Sequence, residues 1–488
     1  MKRLLPFVLP LAVLCAVVGY AYAPVAMAQE VQVVVEEEVV WTLVDIGDAD
    51  GSEVDMTTVT GLSTAINFTW TLLAAVLVFI MQAGFAFLGG FLDRKHMLNY
   101  LCACFLDTTL AGLIFWLWGF ALMFGGSGYP GAEAGGPAHG WSGFLLHGAA
   151  YDVNTFMLWM FQMVFLTKAV VIPVGAIAGR CKFPVYLLNA CFIAGVVYPI
   201  YGHWVWGGGW LSQLPIGSGA LDFAGSGVVH SIGGIMGFVG AWALGPRKGK
   251  FNPDGTPNDM PAHNMTYVVI GTFLLYFGWF GFNPGSTLAA TDLRISVIIV
   301  NTFLAGAAGA VTALFVTWGK QGKPNVGWMC NGALGGLVAI TCPCAWVPSW
   351  AAVVIGIFAG LVMMGSTWLL DWVIKIDDPL GAVSVHGSCG LWGLLSLGIF
   401  ADGSYHGVIG CIAGSGWQLL AQFIEVVAVM AWTFACGGFL WFIMKYTMGV
   451  RVSEEVEEMG LDLAVHGIPC YPPDPRLAEL EAAIKSRR

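Results

Sequence analysis

The sequence predicts an all-α integral membrane protein. Eleven transmembrane helices are expected, arranged as an inverted five-plus-five repeat with a long last helix, the N-terminus outside and the C-terminus inside. Three observations lead there: the composition, a series of span-length apolar segments, and the alternation of basic loops. Of the 488 residues, 57% are hydrophobic and only 10% charged, against about 25% charged in soluble domains. No aqueous globule hides that much apolar surface, so lipid is the solvent. The 66 glycines suit helices that approach closely in a bilayer.

Residues 1–28 read as a signal peptide. Lys2 and Arg3 form a basic start, an apolar stretch follows, and AMA (26–28) matches a small-x-small cleavage site. Gln29 is then the first mature residue; the other reading, an uncleaved extra span, is opposed by the prolines in the stretch. Residues 29–60 form an acidic extracytoplasmic segment with VVVEEEVV (33–40), Asp45, Asp48, Asp50, Glu53 and Asp55. Together with SEEVEE (453–458) it supplies much of the net charge of −10. The membrane domain covers 61–446. Its apolar segments run roughly 64–91, 101–124, 151–178, 184–206, 221–245, 265–284, 293–318, 328–343, 349–374, 383–401 and 414–446, against about 20 residues needed per span. The eighth and tenth are short. Residues 447–488 are the cytoplasmic tail.

Lysine and arginine set the orientation. Arg94/Lys95, Arg180/Lys182, Arg247/Lys248/Lys250, Lys320/Lys323, Lys375 and Lys445/Arg451 fall in alternate loops and the tail. The intervening loops 125–150, 207–220, 343–348 and 402–413 hold none, with Arg294 the outer-side exception. An odd span count and a leading signal agree with this orientation. It also permits the five-plus-five repeat, in which His230 of the fifth span and His386 of the tenth take matching places. Each follows Val and precedes Gly by four residues (VVHSIGG and SVHGSCG). Repeat interfaces near the midplane are where such folds build substrate sites.

Asp222 is placed to cap the fifth helix, and His230 lies eight residues deeper, about 12 Å at 1.5 Å per residue. Histidines at such depth are functional candidates. Two facing neutral imidazoles share one N–H···N bond and keep their other groups for a passing polar molecule; the plainer alternative is a packed pair bonded to backbone carbonyls. In the third span, Phe161, Phe165 and Lys168 at i, i+4 and i+7 share one stripe. An intramembrane lysine costs about 3 kcal/mol on insertion scales and needs a reason. GWFGFNPGS (278–286) closes the sixth span. Its aromatics, Asn283 and Ser286, with Trp206 of WVWGGGW, suggest a vestibule holding an ammonium-type cation by cation–π attraction. Twelve cysteines fall mostly in apolar segments, and the x1 spacing of CAC and CPC is too tight for zinc pairs. A disulfide between Cys342 and Cys344 is a minor option. The chain carries no nucleophile–base set and no metal cluster, so no enzyme chemistry, cofactor, metal or nucleic-acid partner is expected.

These stretches together resemble the ammonium transporter (Amt/Mep/Rh) family, on the Amt side, over about residues 60–470. The carriers are DFAGSGVVHSIGGIMGFVGAWALGPR, GWFGFNPGS, DDPLGAVSVHGSCGLWG, HWVWGGGW and the tail RVSEEVEEMGLD. The resemblance implies a homotrimer in the inner (cytoplasmic) membrane, one pore per subunit. It implies an outer site for NH4+ at Trp206, Phe161 and Ser286, with Trp210 competing for the tryptophan's place. It further implies a gate of Phe165 and Phe282, pore histidines His230 and His386, a supporting Asp222, passage of NH3, and a tail that couples subunits and can meet a PII-type signal protein.

Two residues depart from the family pattern. Lys168 belongs by its spacing on the pore-facing stripe below the gate; neutral, it would join a proton path, and charged, it would plug the pore. Glu425 lies mid-way in the last span, and one account pairs it with Lys168 as a buried ion pair. The main expectation is ammonium/ammonia transport. The alternative is an ammonium-sensing relative whose pore Lys168 blocks, although the tail carries no output module; an Rh-like gas channel fits the Amt-type signature poorly.

Overall fold

The computed structural model describes residues 56–126 and 135–471. Residues 1–28, expected to be a signal peptide, most of the expected acidic segment and the last part of the tail lie outside the described residues. Among these, ten helices are long and apolar enough to cross a membrane: α1 (Val59–Phe91), α2 (Arg94–Phe124), α3 (Val153–Ile177), α4 (Phe183–Trp206), α5 (Ser226–Leu244), α6 (Met265–Gly285), α7 (Ile295–Gln321), α9 (Ser349–Ile374), α10 (Val383–Phe400) and α11 (Trp417–Thr447). A shorter apolar helix, α8 (Val326–Thr341), sits between α7 and α9. Its 16 residues rise about 24 Å, which is why the sequence shows it as a short segment. The described residues hold no strand, only isolated bridges. The protein is thus an all-helical, multi-pass membrane protein.

Side chains that compete with the helical backbone mark the starts. Thr58, Asp152, Asn264 and Asn325 accept the first free N–H groups of α1, α3, α6 and α8. The centre is α3, enclosed over nearly its whole length. The packing has a paired pattern. Helix α3 lies against α1 and α5, and α8 lies against α6 and α10; α1 packs on α6, and α5 on α10. The α5–α10 crossing is so close that a Cβ on Gly234 would stand 2.1 Å from Gly387 N. Gly309 of α7 meets α8 in the same way, its Cβ position 2.2 Å from Gly332 O. Outward flanks stay apolar and exposed, as with Phe79, Phe273, Phe303, Phe358 and Phe423, which fits lipid contact.

At the end of the bundle carrying Arg180 and Arg247, the tail folds back. Val452 N donates to Arg180 O and Lys182 N to Val450 O (3.1 and 3.0 Å). Two short helices follow, α12 (Glu454–Met459) and α13 (Leu461–His466). Glu457 accepts from Arg451 Nη2 and from Lys248 N (2.7 and 2.8 Å), and Asp462 from Asn99 N (2.9 Å). Cys342 and Cys344 are free and buried, and Cys342 Sγ donates to Leu221 O. The disulfide option is thereby corrected: the CPC turn packs its thiols inward.

Candidate functional site

The site starts with two helix beginnings. Asp222 accepts four backbone N–H groups: Gly225 and Ser226 on Oδ1 (2.9 Å each), Gly227 and Val228 on Oδ2 (2.7 and 3.0 Å). Asp378 does the same for α10, accepting from Ala382, Val383 and Ser384 (2.9, 2.8 and 3.3 Å). Each aspartate precedes a histidine by eight residues. Each histidine lies in a widened π-type opening turn, Ser226–Ser231 and Val383–Ser388, a form frequent at functional positions. The helix starts therefore drive His230 and His386 inward from opposite ends of α5 and α10.

The two imidazoles meet. His386 Nδ1 and His230 Nδ1 are 3.1 Å apart and buried, with rings 5.2 Å apart and 21° from parallel. One Nδ1 carries the proton and the other accepts it, so the ring tautomers are opposite. His230 Nε2 is buried without a partner. On one side of His230 stand Phe282 (5.5 Å, 28°) and Trp279 (5.3 Å, 22°). Phe282 stacks on Phe165 at 4.0 Å, and Phe165 on Phe161 at 4.7 Å. Beyond His386 lies Phe85 at 5.9 Å, next to a small cavity lined also by Tyr100, Asn331 and Leu380. The result is an aromatic column through the bundle, interrupted only by the histidine pair.

At the far end of the column, Trp206 meets Phe165 edge-on at 6.3 Å. Its Nε1 donates to Asp222 O (2.6 Å), which ties the indole to the α5 cap. Trp210 packs instead on Trp204 (5.6 Å). Ser286 Oγ donates to Phe282 O (2.8 Å), one turn from the gate-like ring. Asn283 does not join them. It is buried and donates to Thr302 Oγ1 (3.0 Å), so the vestibule expectation is corrected there: a buried amide takes the partner that α7 offers.

Lys168 is also corrected. It continues the Phe161/Phe165 stripe along α3, but its ammonium leaves the aromatic column. Nζ donates to Gln82 Oε1 (2.9 Å) on α1 and to Thr167 Oγ1 (3.2 Å), with the charge of Asp107 on α2 within electrostatic reach. A buried ammonium must find acceptors, and these lie between helices rather than at the histidines. Glu425 accepts from Gln422 Nε2 (3.0 Å) and lies beside Tyr201. The Lys168–Glu425 pair is therefore absent among the described residues. Sequence reasoning missed Trp279 as the plate beside His230, Gln82 as the lysine's acceptor, and Asp378 as the second cap. The last was detectable from its eight-residue spacing.

Comparison with known proteins fits this geometry. Residues 69–471 match the model of the Ammonium Transporter Family. The chain is 48% identical over 423 residues to ammonium transporter Amt2 of Archaeoglobus fulgidus, covering 83% of this chain and 88% of that one. It is 38% identical to ammonium transporter 1 member 3 of Solanum lycopersicum, covering 83% and 93%. Among solved structures it resembles a sensor Amt protein (TM-score 0.76, 35% identity, 83% of this chain and 99% of that one). It also resembles Candida albicans Mep2 (TM-score 0.71, 30% identity, 80% and 87%). The fold and the paired histidines define a multi-pass channel-like membrane protein, and the chain belongs to the ammonium transporter family.

Proposed function

We propose that the protein moves ammonium across a membrane as ammonia. NH4+ is recruited at Trp206, Phe161 and Ser286, where aromatic faces replace part of its water. Entry of an ion into a narrow apolar passage is costly, so NH4+ gives its proton to water at the outer mouth and NH3 passes the Phe165/Phe282 gate. His230 and His386 then give the neutral molecule hydrogen-bond partners. Potassium has no proton to shed and is refused. The observation that carries this reading is the buried, unpartnered Nε2 of His230 at the break in the aromatic column. Asp222 supports the site by holding both the α5 turn and, through its carbonyl, Trp206.

The finer architecture belongs to the same proposal. Eleven spans, counting α8, form two inverted five-helix halves with α11 added; the paired packing of α1, α3 and α5 with α6, α8 and α10 supports this. The N-terminus lies outside and the tail inside, following the basic loops. Residues 1–28 are the signal peptide, 29–60 an extracytoplasmic segment, 61–446 the transport domain and 447–488 the tail. Three copies assemble in the inner membrane of the cell, and a PII-type protein meets the tail.

The lumenal pH rise evoked by external ammonium in proteoliposomes tests the proposal. Unmodified protein raises lumenal pH on ammonium addition and His230→Ala does not; equal flux in both would overturn the role of the pair. A second reading, an ammonium sensor, draws on the likeness to a sensor Amt protein. A silent unmodified protein that binds ammonium would favour it. The turn of Lys168 toward Gln82 argues against the lysine as its plug.

A further inference from the structure

Glu425 is a fully buried acid in an apolar helix, and its surroundings form a continuous chain toward the outer site. Its Oε2 accepts from Gln422 Nε2 (3.0 Å). The same amide grips Leu221 on both sides, accepting from Leu221 N (2.9 Å) and donating to Leu221 O (2.8 Å). Gln418, one turn earlier, donates to Gln422 Oε1 (3.1 Å) and to Gly219 O (2.8 Å), and accepts from Ser218 N (2.9 Å). Leu221 leads directly into Asp222, whose carboxylate caps α5 and whose carbonyl holds Trp206 Nε1.

We infer that Glu425 is a positioning residue for the outer cation site, acting through the Gln422 amide on Leu221, Asp222 and Trp206. This rests on the reading of Trp206 as the recruiting group. The physical reason is the direction of the amide. Glu425 Oε2 accepts from the NH2 end of Gln422, and Leu221 O holds that same end. That leaves Oε1 facing the Leu221 and Gln418 donors. Without an acceptor at position 425, a buried amide proton loses its partner, and the non-helical 218–221 segment loses a fixed anchor. No regular ladder holds this segment; alongside the bonds of Ala220 N to Leu211 O, Phe223 N to Cys342 O and Cys342 Sγ to Leu221 O, the two glutamines of α11 help set where the α5 cap and the tryptophan stand.

The test compares unmodified protein, Glu425→Ala, Glu425→Gln and Trp206→Ala in proteoliposomes across ammonium concentrations. Hydrogen–deuterium exchange of residues 216–222 is read in parallel. Glu425→Ala is expected to raise half-saturating ammonium about tenfold, with maximal flux changed far less, and to speed exchange at 216–222. Glu425→Gln keeps an acceptor oxygen for Gln422 and should stay within about threefold of the unmodified protein. Unchanged half-saturation and exchange in Glu425→Ala would overturn the inference. Equal shifts in Ala and Gln variants would also overturn it, assigning the effect to charge. Should Glu425→Ala fail to assemble, Glu425→Asp carries the same expectation, since its shorter arm withdraws the oxygen. If Trp206→Ala leaves half-saturation unchanged while Glu425→Ala speeds exchange, the recruitment reading fails and the positioning of the segment stands.

Discussion

Lys168 is a single residue whose role turned on where its last atom points. Its amine sits fully buried and donates to Gln82 and Thr167. Asp107 accepts from Tyr186 through one oxygen and leaves the other, Oδ2, unpartnered. Removing the ammonium leaves Gln82 Oε1 without its donor. Lys168→Met should therefore destabilise the fold by about 2 kcal/mol, while Lys168→Met with Gln82→Met regains part of it. Thermal unfolding in detergent measures both, and equal losses in the single and double variants would refute the coupling. Ammonia flux should persist in the folded double variant, since neither side chain enters the aromatic column. The stripe of Phe161, Phe165 and Lys168 was legible from spacing, because periodicity fixes which face of a helix a Cβ leaves. The ammonium's destination was not, because a long flexible side chain chooses acceptors on helices that sequence does not place.

Among elements, the α5–α10 crossing decides whether the histidines meet. Gly234 and Gly387 let the backbones touch, and a methyl at 234 would stand 2.1 Å from Gly387 N. Gly234→Ala should part the helices, break the 3.1 Å histidine contact and abolish flux or assembly. Gly438→Ala, with nothing within 4 Å, should leave both intact; size-exclusion profiles and lumenal pH change check the pair. The DDP turn before α10 adds a pH dependence. Burial, with Asp377 beside it, pushes the Asp378 carboxyl up to about 7, against the three N–H groups that favour its charge. A raised carboxyl holds its proton more tightly in the folded state. Its contribution is thus full below the unfolded value near 4 and is lost as pH rises through about 7. Melting temperatures between pH 5 and 7.5 should fall less steeply in Asp378→Asn than in the unmodified protein.

Over the whole molecule, the tail is the longest-range connection. Arg451 reaches Leu244 O and Pro246 O at the end of α5 (3.0 and 2.6 Å), and Glu457 holds Arg451 and Lys248 N together. Nearby, burial disfavours the charge of Asp377, yet Arg180 and Arg247 outweigh it and keep its carboxyl below the usual range. Glu457→Ala removes two charge-assisted bonds from a nearly buried position. Residues 454–471 should then exchange deuterium at least about tenfold faster while α3 keeps its protection. Unchanged exchange would mean that the tail is held by other contacts.

The sequence by itself determined the membrane class, the approximate position of every described span, the Asp222 cap and the candidacy of the two histidines. These follow from properties that act along the chain: hydropathy, helical period and local capping. Only the tertiary structure decided that His230 and His386 share a contact, that Trp206 rather than Trp210 stands at Phe165, and that Lys168 and Glu425 have separate partners. Those outcomes depend on which helices cross and how closely. In a bundle where nearly every helix is apolar, sequence says little about which faces meet, and glycine contacts and buried hydrogen bonds make the choice.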